Sequence, residues 1–590
     1  MSSEKPSIEA KRHSLSHILA QAVLSLFPEA KLAIGPAIEH GFYYDFDLPR
    51  TLIPEDLEIL QKKMEAIVKE NQVFSSEVEP IDKAIEYLKK IKQPYKVELA
   101  EDFKKEGSKE VSFHRNGPFV DLCRGGHVNS TGQIQIGSFK LDKIAGAYWR
   151  GSEKNPMLQR IYGLAFESKK ELQEHLKMRE EAEKRDHRKL GKELDLYVLS
   201  PKVGPGLPLL TPKGTVIRHE LAEFSRQKHV AAGYSYVTTP NLGDLGLYRT
   251  SGHYPYYAET MFPPLKDEES EYMLRPMNCP HHIQIYDSRP RSYRELPLRL
   301  REDGLCFRYE KSGELGGLTR VRALTIDDAH IFCTPEQMEA EINACIDLSE
   351  EMYRVFGLTD AVYTLSLRDP KDKKKYVGGD ENWNRAESIL REALRKRNVK
   401  FTEHEGEAAF YGPKIDVKVK DVLGREWQLA TIPQVDYNMP ERFDLHYIDE
   451  KGEKQRPIIL HRAIYGSYER FMGLIIEHFA GAFPTWLAPV QVAILPVAAA
   501  HEAYAQEVRD KLLDANVRVE LMLAEETLGK RIRLSETQKI PYALVLGDKE
   551  IEAGSVAVRN YHTKKQEVMK AEAFMKIILE EIKERKLPSV

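Results

Sequence analysis

Between Met273 and Phe332 the chain crowds two thiols, three imidazoles, several arginines and paired carboxylates into one stretch. Cys279 and His330 are residue types that ligate a transition metal. His281 and His282 stand beside Cys279 as alternative donors, but neighbours on an extended chain point apart, which disfavours both joining Cys279 at one ion. The run FRYE, ending at Glu310, reads as a strand with Arg308 and Glu310 on one face. Arg320, Arg322, Asp327 and Asp328 follow the glycine-rich SGELGG. A guanidinium fork matches two phosphate oxygens at once, and a carboxylate accepts from an exocyclic amino group. Such a face suits both ends of a nucleotide. A second set lies earlier: His13 and His17 one helical turn apart, then Asp121, Cys123 and His127 in DLCRGGH. Three imidazoles and a thiol have the chemistry of a zinc site; a polar surface histidine and a small buried cysteine are the alternative.

These residues need large scaffolds. At 590 residues the chain holds about three to five domains, at roughly 150 residues each. A hydrophobic content of 42% excludes wholesale disorder. The net charge of −4, from 87 basic and 91 acidic residues, neither supports nor opposes an RNA partner, which needs a local basic surface. Five cysteines without a CxxC pair argue against a disulfide scaffold and fit a reducing cytosol. The start MSSEKPSIEAKRHS has no apolar signal-peptide core, and APVQVAILPVAAA falls short of the ~20 residues of a membrane helix. A soluble, cytoplasmic protein with no membrane partner is expected.

Along the chain, EAKRHSLSHILAQAVLSLF opens a first block with a helical pattern. The charge-dense run after Glu167 predicts a solvated helix, with Glu180–Lys184 and Glu181–Arg185 in the favourable i,i+4 order. A long helix and a short strand ending near Pro240 follow. EAAFYGPKIDVKVKDVLGREWQLATIPQVDY alternates like paired strands turning at Leu423–Gly424, and HRAIYGSYERFMGLIIEHF runs from strand into helix. The last hundred residues alternate strand and helix, as in an α/β domain.

FRYE with its glycine loop resembles motif 2 of class II aminoacyl-tRNA synthetases, and MNCP, DDAHIF and HRAIYGSYERF, in that order, resemble the threonyl-tRNA synthetase family. The resemblance covers nearly the whole chain. It implies a multidomain α+β protein: an N-terminal α+β editing domain (1–166), a linker helix (167–191), a class II antiparallel β-sheet core flanked by helices (192–488) and an α/β anticodon-binding domain (489–590). It implies one Zn2+ per subunit on Cys279, His330 and His461, and ATP with Mg2+ bound by Arg308, Arg320 and Arg470, with Glu310 on adenine. His253 and Lys414 would lie at the reacting carboxylate and phosphate, and Asp328, Tyr411 and Gln428 would face threonine. The editing pocket would comprise His13, His17, Tyr44, Lys96, Asp121, Cys123 and His127, with His13 and Lys96 as the chief catalytic pair. Arg533, Glu550 and Arg559 match anticodon-reading positions. The implied partners are tRNA(Thr), threonine, ATP and a second copy of the chain, not DNA.

The zinc has a physical purpose. A hydrophobic pocket separates near-isosteres such as threonine and valine only about a hundredfold, whereas an ion ligated by amino group and hydroxyl rejects valine. Serine lacks only a methyl, worth roughly 1–3 kcal/mol, so a second, hydrolytic site is needed. The pattern departs from relatives in places: no ubiquitin-like domain precedes the editing block, Leu324 and Ile326 replace an aromatic residue and a glutamine, Glu525 stands for an asparagine, and Pro433 is an extra residue. The rival readings are a free-standing deacylase with an inert synthetase body and a non-catalytic tRNA-binding regulator.

Overall fold

The computed structural model describes residues 6–372, 374–420 and 426–588; the turn expected at Leu423–Gly424 lies outside them. The chain divides into two compact units, Met1–Glu180 and Glu181–Val590.

In the first unit, helix α1 (Ile8–Leu26) starts at Ser7, whose hydroxyl accepts the Ala10 N–H at 3.2 Å and satisfies an otherwise unpaired helix-end donor. It packs on α2 (Pro54–Lys69) and on strand β1 (Gly41–Asp47). Leu15, Leu19, Phe42, Phe46 and Ile161 fill the core between them. A second, three-stranded sheet runs β2 (Phe74–Pro80), β3 (Glu110–Asn116), β4 (Phe119–Leu122), all antiparallel, and β4 delivers Asp121 and Cys123. Helix α3 (Pro94–Lys105) brings Lys96. Strand β1 also pairs with β6 (Met157–Ala165), which pairs with β5 (Phe139–Tyr148). The charged helix, α4 (Lys169–Arg185), begins in this unit, where it buries only Leu172, and its residues from Glu181 on belong to the second unit. There Lys184 pairs with Glu181 at 2.8 Å, and Arg185 donates to the His478 carbonyl at 3.1 Å.

The second unit begins with α5 (His187–Glu193) and is built on an eight-stranded sheet. In chain order its strands are β7 (Ser235–Tyr236), β8 (Leu298–Phe307), β9 (Ala323–Cys333), β10 (Ala361–Leu367), β11 (Phe401–Glu405), β12 (Lys414–Lys420), β13 (Glu426–Asp436) and β14 (Ile458–Ser467). In space they run β7-β8-β9-β14-β13-β12-β10-β11, antiparallel except for the two edge pairs. Alternation divides β9 cleanly. Ala329, Ile331 and Cys333 face a core shared with α6 (Pro212–Ala231), α8 (Met338–Arg354), α9 (Asp380–Lys396) and α10 (Tyr468–His478), through Leu221, Ile346, Leu390 and Phe471. Asp328, His330 and Phe332 take the other face, where α7 (Cys279–Asp287) packs through Ile283 and Tyr286. One face is thus a helix-covered core and the other carries the chemistry.

Two local expectations change. FRYE is not a strand: β8 stops at Phe307, and Arg308 N–H bonds to the Arg322 carbonyl at 2.9 Å beyond the sheet. The chain at Cys279 is not extended but opens a helix with Pro280 in its first turn, a position that tolerates the missing N–H. After α10 the chain forms β15 (Val492–Pro496), α11 (Glu502–Asp514), β16 (Val519–Leu521), α12 (Leu528–Thr537), β17 (Tyr542–Leu546), α13 (Asp548–Ala553), β18 (Ser555–Asn560), β19 (Gln566–Lys570) and α14 (Ala571–Glu584). Strands β16, β15 and β17 are parallel, and β18 and β19 add antiparallel.

Candidate functional site

A single row of residues crosses the sheet in register: Leu300, His330, His461, Gln434 and Lys414, on β8, β9, β14, β13 and β12. Opposed residues on paired strands share a face, so His330 and His461 stand side by side, their rings 4.8 Å apart. Helix α7 places Cys279 over them. The three are buried, and their donor atoms lie within 4.8 Å of one another. A thiol and two imidazoles are a set suited to a tetrahedral metal with a fourth position open. The second nitrogen of each imidazole is occupied: His461 Nε2 lies 2.9 Å from Asp436 Oδ2, and His330 Nδ1 lies 2.8 Å from His282 Nδ1. Each ring therefore keeps one nitrogen for an ion, as metal-ligating histidines do. The residues fit a metal.

Asp328, next on that face of β9, accepts from Asn278 Nδ2 at 3.0 Å and lies 3.9 Å from His330 Nε2. Its neighbour Asp327 points to the opposite face, where it accepts the Ile464 and Tyr465 N–H groups; burial pushes its carboxyl up to about 7. Tyr411 is buried 5.2 Å from the His461 ring, centroid to centroid. Lys414 lies in the same row with its ammonium against Asp416 at 2.6 Å.

Two expected residues are placed differently. Gln428 is exposed and pairs with Lys418 towards the far end of β13, whereas buried Gln434 stands between Lys414 and His461. The ladder skips from Thr431 to Gln434, because Pro433 has no N–H to donate, and the irregularity resets which residues face the site. His253 is fully buried, with Nδ1 2.8 Å from the Ser251 hydroxyl and Nε2 3.7 Å from Cys279 Sγ; it supports the thiol and exposes no surface to a carboxylate.

Beside this row opens a cavity of about 420 Å³ lined by Tyr257, Met277, Arg308, Glu310 and Arg320. Among the described residues Arg308 makes no ion pair, and Arg470, near the start of α10, has an Nε without a partner. Burial, reinforced by the nearby Arg320, lowers the Arg470 pKa. Cations held without carboxylate partners are ready for an anion. Glu310 is paired with Arg320 at 3.2 Å, so these two neutralise one another at the cavity wall. Arg322 is structural: its guanidinium holds the Glu310 carbonyl at 2.8 and 3.0 Å.

The first unit encloses a second site, a cavity of about 640 Å³ lined by His13, His17, Tyr44, Lys96, Asp121 and Cys123. Asp121 is its hub, taking Lys96 Nζ at 2.7 Å and the Tyr44 hydroxyl at 2.5 Å. Gly35 allows this, since a Cβ there would meet the Tyr44 ring at 2.1 Å. Cys123 Sγ lies 2.9 Å from His13 Nε2 and 3.5 Å from His127 Nε2. Burial lowers all three imidazoles, His127 to about 3, and raises Cys123 to about 11. At neutral pH the imidazoles are therefore bases and the sulfur a thiol, which suits activation of water rather than thiolate attack.

In the C-terminal part, a cleft of about 100 Å³ is lined by Glu536, Arg559, Tyr561 and Lys564. Arg559 bonds Gln566 at 3.1 Å and Glu536 at 3.3 Å. Arg533 is exposed on α12 outside that lining, and the Glu550 carboxylate caps α13 by accepting the Gly547 N–H at 3.0 Å, a structural role. Sequence reasoning missed Tyr561, whose ring lies 3.7 Å from Lys564 Nζ; the aromatic–basic run YHTKK was the available signal.

The chain is similar to known proteins along nearly its whole length. Residues 256–479 match the family described as tRNA synthetase class II core domain (G, H, P, S and T), 491–581 an anticodon binding domain, and 111–162 the threonyl and alanyl tRNA synthetase second additional domain. The threonine–tRNA ligase of Thermus thermophilus is 50% identical over 98% of this chain and 89% of its own length. That of Deinococcus radiodurans is 51% identical over 93% of this chain and 84% of its own. A crystal structure of the RNA binding domain of threonyl-tRNA synthetase from Cryptosporidium parvum superposes with a TM-score of 0.63 at 38% identity, covering 67% of this chain and 97% of that one. With its additional domain, its class II core and its anticodon-binding domain in this order, the chain belongs to the threonyl-tRNA synthetase (threonine–tRNA ligase) family.

Proposed function

We propose that this chain activates threonine with magnesium-bound ATP, transfers it to tRNA(Thr), and hydrolyses seryl-tRNA(Thr) formed in error. The observation that carries the reading is the buried Cys279–His330–His461 triad beside a cavity lined by Arg308, which has no carboxylate partner among the described residues. A zinc ion there would offer Lewis-acid positions for the amino group and side-chain hydroxyl of threonine. Asp328 would accept from the same polar groups, with Asn278 holding its orientation. Arg308 and Arg470 would bind phosphate oxygens and stabilise charge that develops as the carboxylate attacks the α-phosphate; preorganised cations need no reorganisation at that moment. Adenine would take Glu310, which then releases Arg320 to the phosphates. In the hydrolytic pocket, neutral His13 would take a proton from water and the Lys96 ammonium would face the oxyanion, held in place by Asp121.

A homodimer is part of the proposal. Val198, Leu199, Val203 and Leu209, in the segment leading into α6, expose large apolar side chains that a second copy would cover. Pyrophosphate exchange with threonine, valine and serine, with and without a chelator, tests the reading. Threonine should support exchange, serine weakly and valine hardly at all, and metal removal should abolish it reversibly. Exchange that ignores both chelation and the valine substitution would overturn the metal-based selection.

A further inference from the structure

Behind the triad lies a chain of groups that the functional reading does not use. His282, one helical turn after Cys279 and fully buried, touches His330 Nδ1 through its own Nδ1 at 2.8 Å. Its other nitrogen, Nε2, lies 3.2 Å from Glu302 Oε2. Glu302 is buried on β8 opposite Asp328 and is surrounded by donors: the Thr239 N–H at 2.9 Å and hydroxyl at 2.8 Å, and Arg275 at 3.4 and 3.5 Å. It is therefore an acceptor, and the only proton that satisfies it from His282 is one on Nε2. The His282 Nδ1 is then a bare lone pair, so the proton between the two rings belongs to His330 Nδ1. That leaves the His330 Nε2 lone pair free.

We propose that Glu302 and His282 form a carboxylate–imidazole relay whose role is to fix the His330 tautomer that can ligate a metal. Neither is itself a ligand; both are positioning residues acting through His330. The inference rests on reading Cys279, His330 and His461 as the metal site. It differs from simple packing in what a near-isosteric change at Glu302 does. Arg275 reaches both oxygens of residue 302, at 3.4 and 3.5 Å, but the Oε1 side also meets the fixed Thr239 N–H at 2.9 Å and has no group able to accept, so in Glu302→Gln the amide nitrogen is excluded there. It must take the Oε2 side, where the Thr239 hydroxyl and His282 Nε2 can turn to accept. His282 then carries its proton on Nδ1, His330 must accept there, and the His330 proton moves to Nε2, where it blocks ligation.

The test is metal affinity of the full-length protein, read by competition with a chromophoric chelator and by the ligand-field bands of the cobalt(II)-loaded form. The parent should hold one ion. Glu302→Gln, and His282→Phe as a second variant, should weaken binding about 10- to 100-fold, with altered cobalt bands, while circular dichroism and deacylation of seryl-tRNA stay at parent levels. If His282→Phe does not fold, Glu302→Gln decides alone. A parent with one ion and variants that bind it equally tightly would overturn the relay and leave the triad standing. A parent that binds no ion would overturn both.

Discussion

The two glutamines of β13 offer the sharpest test of the site. Gln428 and Gln434 are six residues apart, roughly 20 Å along a strand, yet only Gln434 is buried in the row with His330 and His461. Its amide donates to the Gly412 carbonyl at 3.3 Å, which leaves the amide oxygen for a substrate donor. Truncation to alanine removes one hydrogen bond from an N–H of the threonine amino group, charge-assisted by the cation that group would ligate, ~1.5–3 kcal/mol. That corresponds to a loss of roughly 10- to 150-fold in kcat/KM for threonine. The Gly412 carbonyl also loses its partner, a cost of about 1–3 kcal/mol that falls on folding stability. Gln428→Ala, at an exposed position, should stay within about 0.5 kcal/mol, close to twofold. Threonine-dependent pyrophosphate exchange across a concentration series separates KM from kcat for both variants. Equal losses in the two, or a Gln434→Ala enzyme at the parent rate, would refute the register argument.

Four further outcomes are expected. Cys279→Ser should lose threonine activation yet still deacylate seryl-tRNA; loss of both in a folded protein would show that the two sites are not independent. Burial depresses His13, and His127 to about 3, so deacylation should keep its rate as pH falls below 6.5, where an ordinary imidazole loses its base form; a rate that halves near 6.5 would contradict this. For the same groups the unfolded chain takes up protons first, so their stability contribution is complete above pH 6.5 and declines as pH drops from there towards 3, measurable as a falling denaturation midpoint. Gly317→Ala should raise KM for ATP without changing deacylation: its φ is +57°, and a Cβ would meet His187 Nε2 at 2.3 Å, the atom that accepts the Leu318 N–H and anchors the loop carrying Arg320. Strain of about 1–3 kcal/mol there should displace that arginine; unchanged ATP dependence would remove the anchor.

The sequence by itself determined the ligand types, the order of the motifs and the alternating faces of the sheet. Period-2 and period-3.6 patterns are local properties: the helical one told that His13 and His17 share a face, whereas the strand reading of FRYE failed because β8 ends at Phe307. The sequence also carried the family, because several long motifs in a set order are hard to meet by chance. Local pattern could not count residues through an irregular strand. Pro433 interrupts the β13 ladder, and only the paired partner, β14, decides that Gln434 and not Gln428 enters the site. Nor could it bring together groups distant along the chain. Asp436 meets His461, Glu302 meets His282, and Asp121 gathers Lys96 and Tyr44, each through pairing or packing that closes a loop of twenty or more residues. Ligands are chosen by residue chemistry, which is written in the sequence. The tautomer, charge and aim of each ligand are set by what is packed behind it, and that only the tertiary structure decides.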